Sequence, residues 1–347
     1  MTAMPQPCGP VTEALFDALA RPPHRLGELP EVRGGDPLAD DDLQLALYAC
    51  YELHYRGLPG VDDRWEWSPA LLAARAALER PFEAAMRELV GDDRDGVPGA
   101  EIDIALRELA DAEEGPSMSR HVEREAGIEQ VLEFVVHRSA YQLKEADPHS
   151  WAIPRLAGPA KAALVEIQAD EYGGGRPERV HAQLFADSMA ALGLDSRYGA
   201  YLDRLPGPTL ATVNLMSLCG LHRRLRGAIV GHLALFEMTS SIPNRRYAAG
   251  LRRLGVEDRR ATDFFDEHVE ADAVHESIAA VDLAGGLASQ EPELAGQILW
   301  GARALLALDA RWARHVMTAW DEGRSSLRAL TSPAGQLPDR PRLRSER

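Results

Sequence analysis

Almost nowhere in this chain do apolar and polar residues alternate with the two-residue period of a half-buried strand. Apolar side chains recur instead three and four residues apart over long segments broken by proline and glycine. That periodicity restricts the chain to an all-α fold. The spacing predicts helices near 11–20, 41–56, 69–89, 101–113, 122–146, 159–172, 177–193, 208–219, 222–239, 244–253, 260–284 and 292–322. No internal repeat of fixed period is visible, which argues against a solenoid.

The loop Glu114-Gly115-Pro116-Ser117 is the natural place to divide the chain. Residues 1–115 then form an N-terminal extension with a few helices, 116–330 the main helical domain, and 331–347, rich in proline and mixed charge, a tail expected to be disordered. Apolar residues at 45% across 347 positions suffice for a sizeable core. The formal charge of −16, from 54 acidic and 38 basic side chains, argues against a surface that tracks nucleic-acid phosphates. Cys8, Cys50 and Cys219 are odd in number, far apart and without a CxxC pair, which fits unpaired thiols in a reducing compartment. With no apolar run of eighteen residues and no basic-then-apolar leader, the expectation is a cytoplasmic protein without a membrane span.

The densest chemical signal is Asp266-Glu267-His268-Val269-Glu270-Ala271-Asp272-Ala273-Val274-His275-Glu276, inside a stretch free of proline and glycine. On a helix His268, Asp272 and His275 stand at i, i+4 and i+7 and project from one stripe. Alone, that spacing equally describes a solvated acidic face. Phe264, Phe265, Val269 and Ile278 flank the stripe and turn it inward, where His and Asp require partners or a metal. Imidazoles with carboxylates suit iron, copper, nickel or zinc, but three side chains cannot fill two coordination spheres, so other helices must contribute.

Three further segments offer donors. Glu237 interrupts the apolar run 228–238, where a carboxylate needs a cation or an arginine beside it. Glu178 and His181 make a Glu-x-x-His step, downstream of Glu171 and a Gly173-Gly174-Gly175 run that either lets two backbones approach or is a plain loop. Glu145 lies just before a proline stop, an unfavourable position for a carboxylate unless it meets a cation.

In this order the pieces resemble the haem-oxygenase-like diiron oxidases, or iron-containing redox enzymes, over roughly residues 120–325. The resemblance implies a haem-oxygenase-like helical bundle with an N-terminal helical extension. It implies metal ligands at Glu145, Glu171 or Glu178 or both, His181, His268, Asp272 and His275, with Glu237 as an addition. It also implies two iron ions, Fe(II) when loaded, dioxygen as co-substrate, no organic cofactor, and a small amine-, amino-acid- or fatty-acid-like substrate.

Phe185, Leu184, Leu215, Met216, Phe236 and Phe264 are candidates for an apolar pocket, and His222, Arg223, Arg224 and Arg226 for a carboxylate-binding cluster, although core packing and salt bridges explain both groups as well. A homodimer is compatible with a bundle bearing a helical extension. Two rivals differ in kind: a haem-binding or haem-degrading protein of the same fold, and a non-catalytic helical module holding a polar network. The many acidic donors weigh against a haem slot, which wants apolar walls and one axial histidine.

Overall fold

The computed structural model describes the backbone of residues 3–32, 34–94, 96–112 and 115–329, and their side chains except those of 270–274. Among these residues no β-strand forms, and the fold is an all-α bundle. The tail 331–347 lies outside the described residues.

The helices are α1 (Pro10–Leu19), α2 (Asp41–Glu52), α3 (Pro69–Val90), α4 (Ile102–Asp111), α5 (Met118–Arg124), α6 (Ile128–Gln142), the single turn α7 (Asp147–Ser150), α8 (Gly158–Glu171), α9 (His181–Ala191), α10 (Gly207–Leu221), α11 (Arg226–Arg253), α12 (Arg260–Ser277), α13 (Gly286–Gln290) and α14 (Ala295–Asp321). A π-helical stretch, Ile278–Gly285, continues α12 into α13.

The long helix α11 is the axis of the bundle and packs against α5, α10, α12 and α14. Two glycines explain how closely it meets α14. A Cβ at Gly231 would stand 1.8 Å from the Ile298 carbonyl oxygen, and one at Gly301 would stand 2.0 Å from that of Ala228. At each of these two contacts a glycine on one helix admits the backbone of the other. Helix α10 is apolar nearly all round and buried, as expected of a core helix. From the N-terminal part, α2 packs on α10, and α3 and α4 pack on α14.

Local structure departs from the sequence expectation at three places. The expected helices 222–239 and 244–253 are one helix, α11, which runs through Pro243 because packing on both sides outweighs one missing N–H. The expected helix 122–146 is two, α5 and α6, with Gly127 at the start of the second. The expected helix 177–193 begins only at His181, since Val180 is extended (φ −60°, ψ 125°). All three cysteines are free thiols, and among the described residues no helix is long and apolar enough to cross a membrane.

Candidate metal centre

Five segments converge at one buried place: the turn after α6, the end of α8, the start of α9, the middle of α11 and the stripe on α12. Glu145, Glu171, His181 and His268 form one set whose donor atoms all lie within 4.8 Å of one another. Glu171, Glu237 and His275 form a second set by the same measure, so Glu171 belongs to both. All six side chains are buried, none more than 6% exposed.

Local sequence explains how they arrive. Helix α8 ends at Glu171 and the chain reverses through Gly173, Gly174 and Gly175, all with positive φ (70°, 59° and 80°). At Gly173 a Cβ would stand 2.7 Å from Val180 N, so the glycine admits the returning backbone and sets His181 beside Glu171. Of the two readings of the glycine run, close approach is the one realised. Beyond α6, Ala146 adopts a left-handed conformation (φ 71°), which costs a residue with a Cβ about 1–2 kcal/mol. That turn leaves Glu145 inward, 4% exposed, instead of at a solvated helix end.

The contacts are those of donors sharing a centre. His181 Nδ1 and Glu171 Oε2 stand 2.9 Å apart yet lack hydrogen-bond geometry, and both atoms are buried without another partner. Glu145 Oε2 and His275 Nδ1 are likewise orphaned, the latter 3.4 Å from Glu237 Oε2. Buried polar atoms without partners are rare and costly, and a cation is one group that could satisfy these. His268 Nδ1 contacts the Phe264 carbonyl at 2.8 Å, which only accepts, so Nδ1 carries the proton. Nε2 then faces Glu145 Oε1 at 3.6 Å, and in a neutral ring it would carry the lone pair, the arrangement in which a backbone acceptor orients an imidazole that could ligate a metal.

The electrostatics follow from burial and mutual proximity. Burial raises the Glu145 and Glu237 carboxyls above their usual range. Burial acts on Glu171 too, but His181 and His268 outweigh it and hold that carboxyl low. Burial disfavours the His275 imidazolium, yet the neighbouring Glu237 and Asp170 carboxylates outweigh it and push the group up to about 9.

Each candidate residue now has a place. Glu145, Glu171, His181, Glu237, His268 and His275 come together. Asp272 lies on α12 between the two histidines, and its side chain is outside those described. Glu178 does not join them: it is exposed in the short turn Pro177–Arg179, and the extended Val180 removes the shared helical face that the Glu-x-x-His step presupposed. Asp170, 3.1 Å from His275 Nε2, was not singled out from the sequence; only its place beside Glu171 in an acidic stretch could have signalled it.

Phe185 and Phe264 pack edge to face at 5.0 Å, and Phe264 lies 4.3 Å from the His268 ring, so both wall the cluster. Leu215, Met216 and Phe236 line a separate cavity of about 20 Å³. A smaller one, about 10 Å³, touches Glu145, Glu171, Glu237 and His268, and the two share Tyr141 and Phe236 as walls. His222 and Arg224 are engaged by Glu79 and Glu83, and Arg226 by Glu291, so three of the four basic residues are held in ion pairs.

A family model described as iron-containing redox enzyme matches residues 132–310, just over half of the chain. The chain belongs to the iron-containing redox enzyme family. The convergent donor set lies in the matched region. A nitrosourea synthase from Streptomyces achromogenes subsp. streptozoticus is 29% identical over 137 residues, 40% of this family member's chain. The chain spans 29% of that relative's length.

Proposed function

We propose that the cluster holds two iron ions and uses dioxygen to oxidise a small organic substrate. The observation that carries this reading is Glu171, which two otherwise separate donor sets have in common. A carboxylate so placed is suited to bridge two cations, with Glu145, His181 and His268 around one and Glu237 and His275 around the other. Asp272, one turn after His268, is proposed as a further ligand on its register alone. The orphaned atoms of Glu145, Glu171, His181 and His275 fit such a pair, because each gains the partner it lacks.

Iron(II) bound there supplies electrons to reduce dioxygen. The protein's part would be to offer the Glu145, Glu171 and Glu237 carboxylates and the His181, His268 and His275 imidazoles as ligands, and to keep bulk water out of a site walled by Tyr141, Phe236 and Phe264. Among amine-, amino-acid- and fatty-acid-like substrates, the nitrosourea synthase relative favours one that bears nitrogen. The donor set weighs against haem: a macrocycle needs an apolar slot, and here three carboxylates crowd a cavity of about 10 Å³.

Anaerobic titration with Fe(II) is expected to saturate at two equivalents, and admission of air then to consume dioxygen without added haem. His268→Ala should lose the equivalent held by Glu145 and His181 while keeping its helical circular dichroism. Saturation at one equivalent or fewer in the wild type, or a Soret band on loading with haem, would overturn the reading.

A further inference from the structure

The turn that delivers Glu145 is fastened by residues from outside the region that the family model matches. Lys144, 1% exposed, places its ammonium 2.9 Å from Glu52 Oε2 and 4.5 Å from the ring centres of both Tyr48 and Tyr55. Glu52, at the end of α2, is fully buried and also accepts a hydrogen bond from the Tyr198 hydroxyl at 2.7 Å. One turn further on, Arg56 donates to the Leu143 carbonyl at 3.0 Å and stacks over Tyr198 at 4.3 Å. From the other side, Gln168 donates to the Ala146 carbonyl at 2.9 Å.

Both ends of the turn 143–146 are thus tied through their carbonyls, and Lys144 is tied through its side chain. Glu145 points the other way, into the donor cluster. A buried ion pair is a weak source of stability, because desolvation offsets most of the attraction. What it fixes well is a register: Lys144 has one place where its charge is compensated, and the next residue is thereby aimed. The left-handed Ala146 needs such fixing, since an alanine relaxes out of that conformation when nothing holds it.

We propose that Glu52 and Lys144 are positioning residues that hold the Glu145 carboxylate at the metal centre, so that the N-terminal helix α2 completes the site. This rests on the metal reading of the cluster given above.

The test is the double variant Glu52→Leu/Lys144→Met, which removes both charges and leaves neither unpaired, with Tyr198→Phe as a milder companion that deletes one hydrogen bond to Glu52. Co(II) is titrated anaerobically against a chromophoric chelator, and its visible ligand-field bands and the thermal melt are recorded for each protein. The double variant is expected to melt close to wild type and to bind one of two Co(II) equivalents about 10- to 100-fold more weakly. Its bands should match those of Glu145→Ala, and Tyr198→Phe should weaken the same equivalent by less. Two equivalents bound at wild-type affinity with wild-type bands, in the double variant or, should that not fold, in Tyr198→Phe, would overturn the proposal. A wild-type protein that binds fewer than two equivalents would instead bring down the metal reading itself.

Discussion

The contact between α11 and α14 gives the sharpest test of how packing holds the site. In Gly231→Ala the new methyl would stand 1.8 Å from the Ile298 carbonyl oxygen, about 1.6 Å short of ordinary contact. The obstacle is helix backbone, which cannot swing aside as a side chain can. Two effects oppose each other. Alanine in a helix interior gains about 1 kcal/mol over glycine, whereas overpacking of this kind costs up to about 3 kcal/mol. The clash wins by about 2 kcal/mol, equivalent to a melting point lower by about 3 °C for a chain of 347 residues.

The damage should reach the site, because Glu237 lies six residues along the same helix, about 9 Å by axial rise. A retreat of α11 by an ångström or more would pull Glu237 away from His275, now 3.4 Å distant, and weaken the iron equivalent proposed for them. Thermal unfolding by circular dichroism and Fe(II) titration read the two effects. Gly286→Ala is the control, since its Cβ would meet nothing nearer than 4.0 Å and the helix gain should stand alone. Gly301→Ala opposes the same interface, so combining it with Gly231→Ala should cost less than the two separately, once the helices have parted. If Gly231→Ala melts with or above Gly286→Ala, the reasoning about this interface is wrong.

Glu171→Gln keeps the shape of the shared carboxylate and removes its charge, so both Fe(II) equivalents should weaken, while Glu178→Gln, on the surface, should titrate as wild type; equal behaviour of the two variants would count against Glu171 as the common ligand. Acid should destabilise the fold through His232, whose ring is 2% exposed and lies 3.1 Å from His149; burial pushes its imidazolium down to about 3. Below pH 6.5 the unfolded chain binds a proton that the folded protein refuses until about pH 3, so stability present at neutral pH is lost as pH falls through that window. At pH 5 the loss from this group is about 2 kcal/mol. Urea denaturation of wild type and His232→Gln at pH 7 and pH 5 should therefore show a shallower pH dependence in the variant, and parallel dependences would refute the assignment.

What could be read from the sequence was whatever the helical period alone dictates. His268 and His275 share a stripe because both lie on one uninterrupted helix, and the flanking phenylalanines told which way it faces. Glu237 was legible as a carboxylate in an apolar run. The candidate site needed more than periodicity wherever a turn decides the direction of a side chain. Glu178 and Glu171 are both acids upstream of His181, and the choice between them depends on whether residues 171–181 form a helix or a hairpin of backbone. Three glycines at positive φ and an extended Val180 make it the hairpin, which favours the residue ten positions away over the one three positions away.

Glu145 poses the same problem from the other side of the site. Its inward direction depends on an alanine held in a conformation that its own sequence disfavours, and the groups that hold it are Arg56, Lys144 with Glu52, and Gln168. Glu52 and Lys144 are 92 residues apart, so no local pattern pairs them. Local propensity fails where tertiary contacts impose strain, and such strain gathers at functional sites. The glycine turn after Glu171 and the strained alanine after Glu145 are therefore features that fit the proposed role of these two carboxylates in the site.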